Sequence, residues 1–255
     1  MSTIDASLFA AILFAGMLIA QEMGLRAGRR RLAAEGESAR TGLGAIDGAV
    51  FGLMGLMIAF AFHGAATRFD VRRDLIVREA NDIGTAYLRL DLLPAPAQPP
   101  LRELFRRYVD ARLEVYRRLP DVSAAREALA RAEALQRQIW TASVEAARDA
   151  PQATMLLLPA LNAMIDVTTT RTTALQTHPP AVVFAMLGFL ALACSLLAGY
   201  GMAGAPSRSL LHVFAFAAIL TVTVYVILDY EFPRHGLIRV DSVDQLLVDL
   251  RQAMK

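Results

Sequence analysis

Cysteine is almost missing from this chain: Cys194 is the single one among 255 residues, which excludes a disulfide framework and any multi-cysteine metal site within one chain. Lysine is scarcer than in most proteins, occurring only at Lys255. The net charge is no more than +2, and the basic residues alternate with acids instead of gathering around aromatics, so nucleic acid is not a partner this chain is built for. There is also no His-x-x-x-His, Ser-His-Asp or Gly-rich phosphate pattern. The reading is therefore a protein that is not an enzyme and carries no cofactor or metal.

What is abundant is apolar surface. Hydrophobic residues make up 55% of the sequence and the mean hydropathy is +0.41, beyond what a soluble globular chain usually carries. The charge is segregated: residues 68–171 hold most of it, while both ends are nearly charge-free over long runs. A bilayer and water would select that division. Fold class follows as all-α, an integral membrane protein with four transmembrane helices and a helical extramembrane bundle.

Four runs fit spans. The first, Ala6 to Ala20, reaches bilayer length when extended from Ile4 to Leu25; no basic segment precedes it, which favours a membrane anchor over a cleaved signal peptide. The second, Gly48 to Thr67, is interrupted only by His63 and punctuated by Gly48, Gly52 and Gly55, a spacing that allows close helix approach in lipid. The third, Pro180 to Met202, begins after Pro179, and the fourth, Leu210 to Leu228, follows a short GAPSRS turn. The domain reading is a first helix pair over 1–67, an extramembrane segment over 68–178, a second helix pair over 179–229 and a tail over 230–255.

Orientation is pulled both ways. Arg26, Arg29, Arg30, Arg31 and Arg40 place the first connection in the cytoplasm by the positive-inside rule, while Arg68, Arg72, Arg73 and Arg78 just past the second span favour the opposite arrangement. Abundant Arg and Ala with almost no Lys suit a GC-rich bacterial source, so the expected location is a bacterial inner membrane, with the side of the extramembrane segment open.

In the charged middle no strand signal appears. Phe69, Ile76, Ala80, Ile83, Tyr87 and Leu90 continue one helical face beyond the second span, so that span extends as a single helix to the PAPAQPP turn. Further helices are expected over Leu101 to Leu119, from a cap at Asp121 or Ser123 to about Arg148, and over Pro151 to Gln176, with Pro159 as a kink. In the last of these Asn162, Asp166, Thr169, Thr170 and Thr173 form a polar stripe, a solvated face or the lining of a polar cavity. His63, Glu79, Asn81, Asp82, Asp166, Arg171 and Glu231 are the candidates for a polar cluster. His63 is singled out because ionisable groups in membrane helices are functional by default.

The string GLMGLMIAFAFHGAATRFDVRRDLIVREANDIGTAYLRLDLLP, with LDYEFPRHGLIRVD after the last span, resembles the bestrophin-like family of bacterial membrane proteins, named for a distant similarity to bestrophin anion channels. Arg78, Glu79, Asn81, Asp82 and the Glu231-x-Pro233-x-x-Gly236 turn carry most of the likeness. The resemblance implies a homo-oligomer, a pentamer by analogy, whose second helix lines a pore for inorganic anions across the lipid bilayer. Taking Arg68-Phe69 as the Arg-aromatic pair that follows the bestrophin neck, the neck falls at Gly52, Leu56 and Phe60. Leu56 and Phe60 suit a dewetting constriction, whereas Gly52 contributes no side chain. Arg68, Arg72 and Arg73 would lie at the pore mouth. The acids Asp229, Glu231, Asp241 and Asp244 are too scattered to match a bestrophin calcium site. The alternative function is a non-conducting scaffold or sensor whose helical segment binds a partner or ligand.

Overall fold

The computed structural model describes residues 3–36, 43–118, 121–205, 207, 209–233 and 237–254. Arg40 of the first connection and His235 and Gly236 of the family-like turn lie outside them. Eight α-helices fill the described residues: α1 (Thr3–Glu35), α2 (Leu43–Leu88), α3 (Gln98–Arg117), α4 (Val122–Ala146), α5 (Pro151–Gln176), α6 (Ala181–Gly201), α7 (Leu210–Glu231) and α8 (Asp241–Ala253), with short 3-10 turns between some of them. No strand occurs among the described residues, and four of their helices are long and apolar enough to cross a membrane. The chain divides into two compact units. One comprises residues 1–67 and 178–232, the other residues 68–177 and 233–255.

The first unit holds the apolar helices. Its cluster runs from Leu13 and Met17 on α1 to Met54 on α2, Leu190, Ala191 and Cys194 on α6, and Ala217, Val224 and Leu228 on α7. Glycine sets the distance between α1 and α6. A Cβ on Gly24 would sit 1.9 Å from the Leu196 carbonyl oxygen, and one on Gly28 2.8 Å from that of Tyr200. From the other side, a Cβ on Gly199 would meet the Gln21 carbonyl oxygen at 2.0 Å. Without glycine at these places the backbones could not touch, which is how small residues hold helices together where lipid removes the hydrophobic driving force. α1 runs well past the expected end at Leu25 and stops where Gly36 takes a left-handed φ of +68°.

The second unit is an amphipathic helical bundle. Ile83 of α2, Leu90 in the 3-10 turn that follows it, Leu101, Phe105 and Tyr108 of α3, Ile139 of α4, Leu157 and Leu161 of α5 and Leu247 of α8 form its sealed core. These residues recur at three- and four-residue intervals, so each helix turns one apolar stripe inward. Asp121 caps α4, its carboxylate accepting from the backbone N–H of Ser123 at 3.0 Å and of Ala124 at 3.1 Å. Pro159 sits inside α5 without ending it. The C-terminal residues, read from the sequence as a tail, contain α8; Arg251 reaches Asp110 on α3 with Nε at 2.8 Å and Nη2 at 3.0 Å.

Candidate functional site

α2 contributes to both units, and the two parts of its length are treated very differently by their neighbours. In the apolar part, Val50, Phe51, Met54, Met57 and Ile58 face the cluster of the first unit. Phe51 meets Phe216 edge-on at 6.1 Å, and Phe62 meets Tyr230 at 5.5 Å. The rest of the circumference is bare. Gly52, Leu56 and Phe60, the three neck positions, are all exposed, and a Cβ on Gly48, Gly52 or Gly55 would touch nothing within 4 Å. Only 6% of the apolar window of α2 is buried, against 33% in α1 and 28% in α7. His63 is exposed on this same uncovered side.

In the charged part of α2 the opposite holds. Glu79 falls between Ile76 and Ile83 on the inward stripe and is fully buried. Arg112 of α3, equally buried, donates from Nε to Glu79 Oε1 at 2.5 Å. Arg171 of α5 donates to the other carboxylate oxygen, and its second amino group reaches Asp244 Oδ1 on α8 at 2.7 Å. Tyr116 closes the cluster: its ring lies 3.7 Å beneath the Arg171 guanidinium and its hydroxyl accepts from Arg112. Among the described residues, Glu79 and Asp244 thus meet Arg112 and Arg171 from four helices.

The electrostatics follow from that balance. Burial alone would push the Glu79 carboxyl up, but Arg112 and Arg171 together outweigh it and hold the group below the usual carboxylate range. Burial works against the charge on Arg112 as well, and Tyr116 and Glu79 overcome it, so the guanidinium stays protonated. One turn toward the start of α3, Tyr108 shares its hydroxyl with Thr168 at 2.9 Å and accepts from Gln136 at 3.0 Å. Burial pushes that phenol up to about 12, against the pull of Arg112.

The remaining candidates are dispersed. Arg72 is buried and spans the end of α5, donating from Nε to the Ala174 carbonyl at 3.2 Å and from Nη2 to that of Thr177 at 2.9 Å, where a helix leaves its last carbonyls open. Arg68 is half-buried, and Arg73 is exposed with Asp70 at 3.9 Å. Asn81 is exposed; Asp82 is half-buried beside Arg78 at 3.8 Å, and burial pushes its carboxyl up while Arg78 opposes. Asp166 and its polar stripe face outward. In the first unit Glu231 is fully buried, with His178 Nδ1 at 2.9 Å and the His178 ring stacked on Phe232 at 4.7 Å.

Of the polar candidates, then, Glu79 and Arg171 come together, and Arg112, Tyr116 and Asp244 join them without having been picked as site residues from the sequence. Arg112 carried a usable signal: it lies on the same face of α3 as Phe105, Tyr108 and Tyr116. Among the described residues no group of three or more His, Cys, Asp or Glu side chains is arranged to hold a metal ion.

A family model described as the bestrophin-like domain matches residues 6–244, which is all of the chain but its two ends. The chain belongs to the bestrophin-like family. No curated protein and no solved structure matches it. Membership, with the four apolar helices, makes this bestrophin-like chain a membrane protein.

Proposed function

We propose that this bestrophin-like protein is a homo-oligomeric ion channel of a bacterial inner membrane, with the apolar part of α2 lining the pore and inorganic anions as the permeant class. The observation that carries the reading is the bare side of α2: three neck positions open on a helix that its own chain hardly covers. A helix left this uncovered has lipid, another copy or water as its neighbour. Gly52 and Leu56 on the open side suit close approach around an axis and an apolar constriction that dewets. No chemical step is part of this reading.

The test uses the full chain purified in mild detergent and reconstituted in liposomes. The expected result is an oligomer by light scattering, and anion efflux that rises when Leu56→Ala widens the constriction. A monomer that passes no ion in either form overturns the proposal. That outcome would turn attention to the alternative of a scaffold or sensor, whose test is capture of a specific partner by the charged helical unit.

A further inference from the structure

His63 is the only ionisable side chain on α2 between Asp47 and Arg68. It is exposed, and the described residues give its ring no hydrogen-bond partner. An imidazole within an apolar span is costly against lipid and is tolerated where it meets water or a polar partner. Its position around the helix therefore marks one exposed side of α2 as the more polar one.

At about 100° per residue, Gly52, Leu56, Ala59 and His63 fall within roughly 60° of one another, and all four are exposed. Ile46, Leu53 and Phe60 recur at seven-residue intervals and form a second exposed stripe, its centre about a quarter turn to the side and Phe60 its member nearest Leu56, at about 40°. The two stripes differ in kind. One is small or polar apart from Leu56; the other is uniformly large and apolar, which suits lipid. The two open sides of α2 are thus distinguishable by chemistry.

We infer that the stripe Gly52, Leu56, Ala59 and His63 faces a water-filled path between copies of this chain, that His63 supplies its polar ring and contacts the permeating ion, and that Phe60 lies to the side against lipid or a neighbouring helix. This rests on the channel reading for the ion but not for the water. It moves one of the three neck positions, Phe60, off the axis. Beyond the Leu56 constriction the permeating ion then meets imidazoles.

The experiment places single cysteines at His63, Leu56 or Phe60 in a Cys194→Ser background, each in proteoliposomes, and follows reaction with a membrane-impermeant charged thiol reagent. Because only thiolate reacts and lipid raises a thiol's pKa, Phe60→Cys is expected to react at least about tenfold more slowly than His63→Cys. Leu56→Cys is expected to group with His63→Cys. In the flux assay, His63→Arg and His63→Glu shift the anion-to-cation permeability ratio in opposite directions. Faster labelling at Phe60→Cys, or none at His63→Cys and Leu56→Cys in protein that elutes like the parent, overturns the inference. Labelling in the expected order without ion flux in any variant leaves the aqueous face standing and removes the channel reading alone.

Discussion

Arg112 and Glu79, 33 residues apart in sequence, meet at 2.5 Å with both side chains fully buried. Their contact ties α3 to the inward face of α2, and Arg171 with Asp244 extends it to α5 and α8. Among the described residues, removal of Glu79 leaves the fully buried Arg112 guanidinium without a carboxylate.

Glu79→Gln tests that directly. Breaking a buried pair from one side costs about 3–5 kcal/mol, so the charged helical unit is expected to unfold at clearly lower denaturant in Glu79→Gln. The double replacement of Glu79 and Arg112 by Gln and Met is expected to recover part of the loss, since the orphaned guanidinium is gone. Equal midpoints for the parent and the single variant would contradict the pairing.

Acid sensitivity follows from the same group. The Glu79 carboxyl is held below its ordinary value in the folded protein, so its contribution is fully present above the unfolded carboxylate pKa, about 4.3. It is lost as pH falls through the depressed value. Unfolding followed by circular dichroism in detergent is expected to show stability dropping below about pH 4.3, with a smaller drop in Glu79→Gln.

Tyr108→Phe removes a hydroxyl that Thr168 and Gln136 both use. Thr168 keeps its bond to the Met164 carbonyl at 2.9 Å and still has Gln136 at 3.2 Å, so the loss is partial. A destabilisation of about 1–2 kcal/mol is expected, within the range for an incompletely satisfied buried polar group. In the parent, burial pushes the Tyr108 phenol up to about 12, so it should ionise later than an ordinary tyrosine in an ultraviolet titration.

Glycines divide into two kinds, and substitution should separate them. Gly24→Leu and Gly199→Leu drive a side chain into the backbone of the facing helix and are expected to abolish recovery of folded protein. Gly44→Ala meets open space and is expected to leave expression and thermal stability within error of the parent. A Gly24→Leu protein with the parent's melting temperature would contradict the close approach of α1 and α6.

Much of this architecture was legible because lipid and water each impose a strong composition. Four apolar runs and the continuation of α2 past Arg68 were readable from local spacing, as was a cap at Asp121 or Ser123, of which the structure uses Asp121. The buried position of Glu79 was also present in the pattern, since Ile76 and Ile83 flank it at three and four residues. Its pairing was not. Arg171 stood among the polar candidates, but its partner did not show: Arg112 and Arg171 lie 33 and 92 residues from Glu79, and Asp244, which Arg171 also holds, a further 73 residues on. The glycines of α1 were overlooked for the same reason: Gly24 and Gly28 lie at the end of an apolar run among arginines, and only the presence of α6 gives them a purpose.

The second span, with its glycines and lone histidine, was determined by the sequence alone as an apolar helix that continues into a charged one. That is a matter of local periodicity and the transfer cost of each side chain. Which of its sides is covered was decided by the tertiary structure, because coverage depends on where α6 and α7 place Cys194, Phe216 and Tyr230 against it. Those contacts leave Gly52, Leu56 and His63 open on the same helix whose other part buries Glu79 between two arginines.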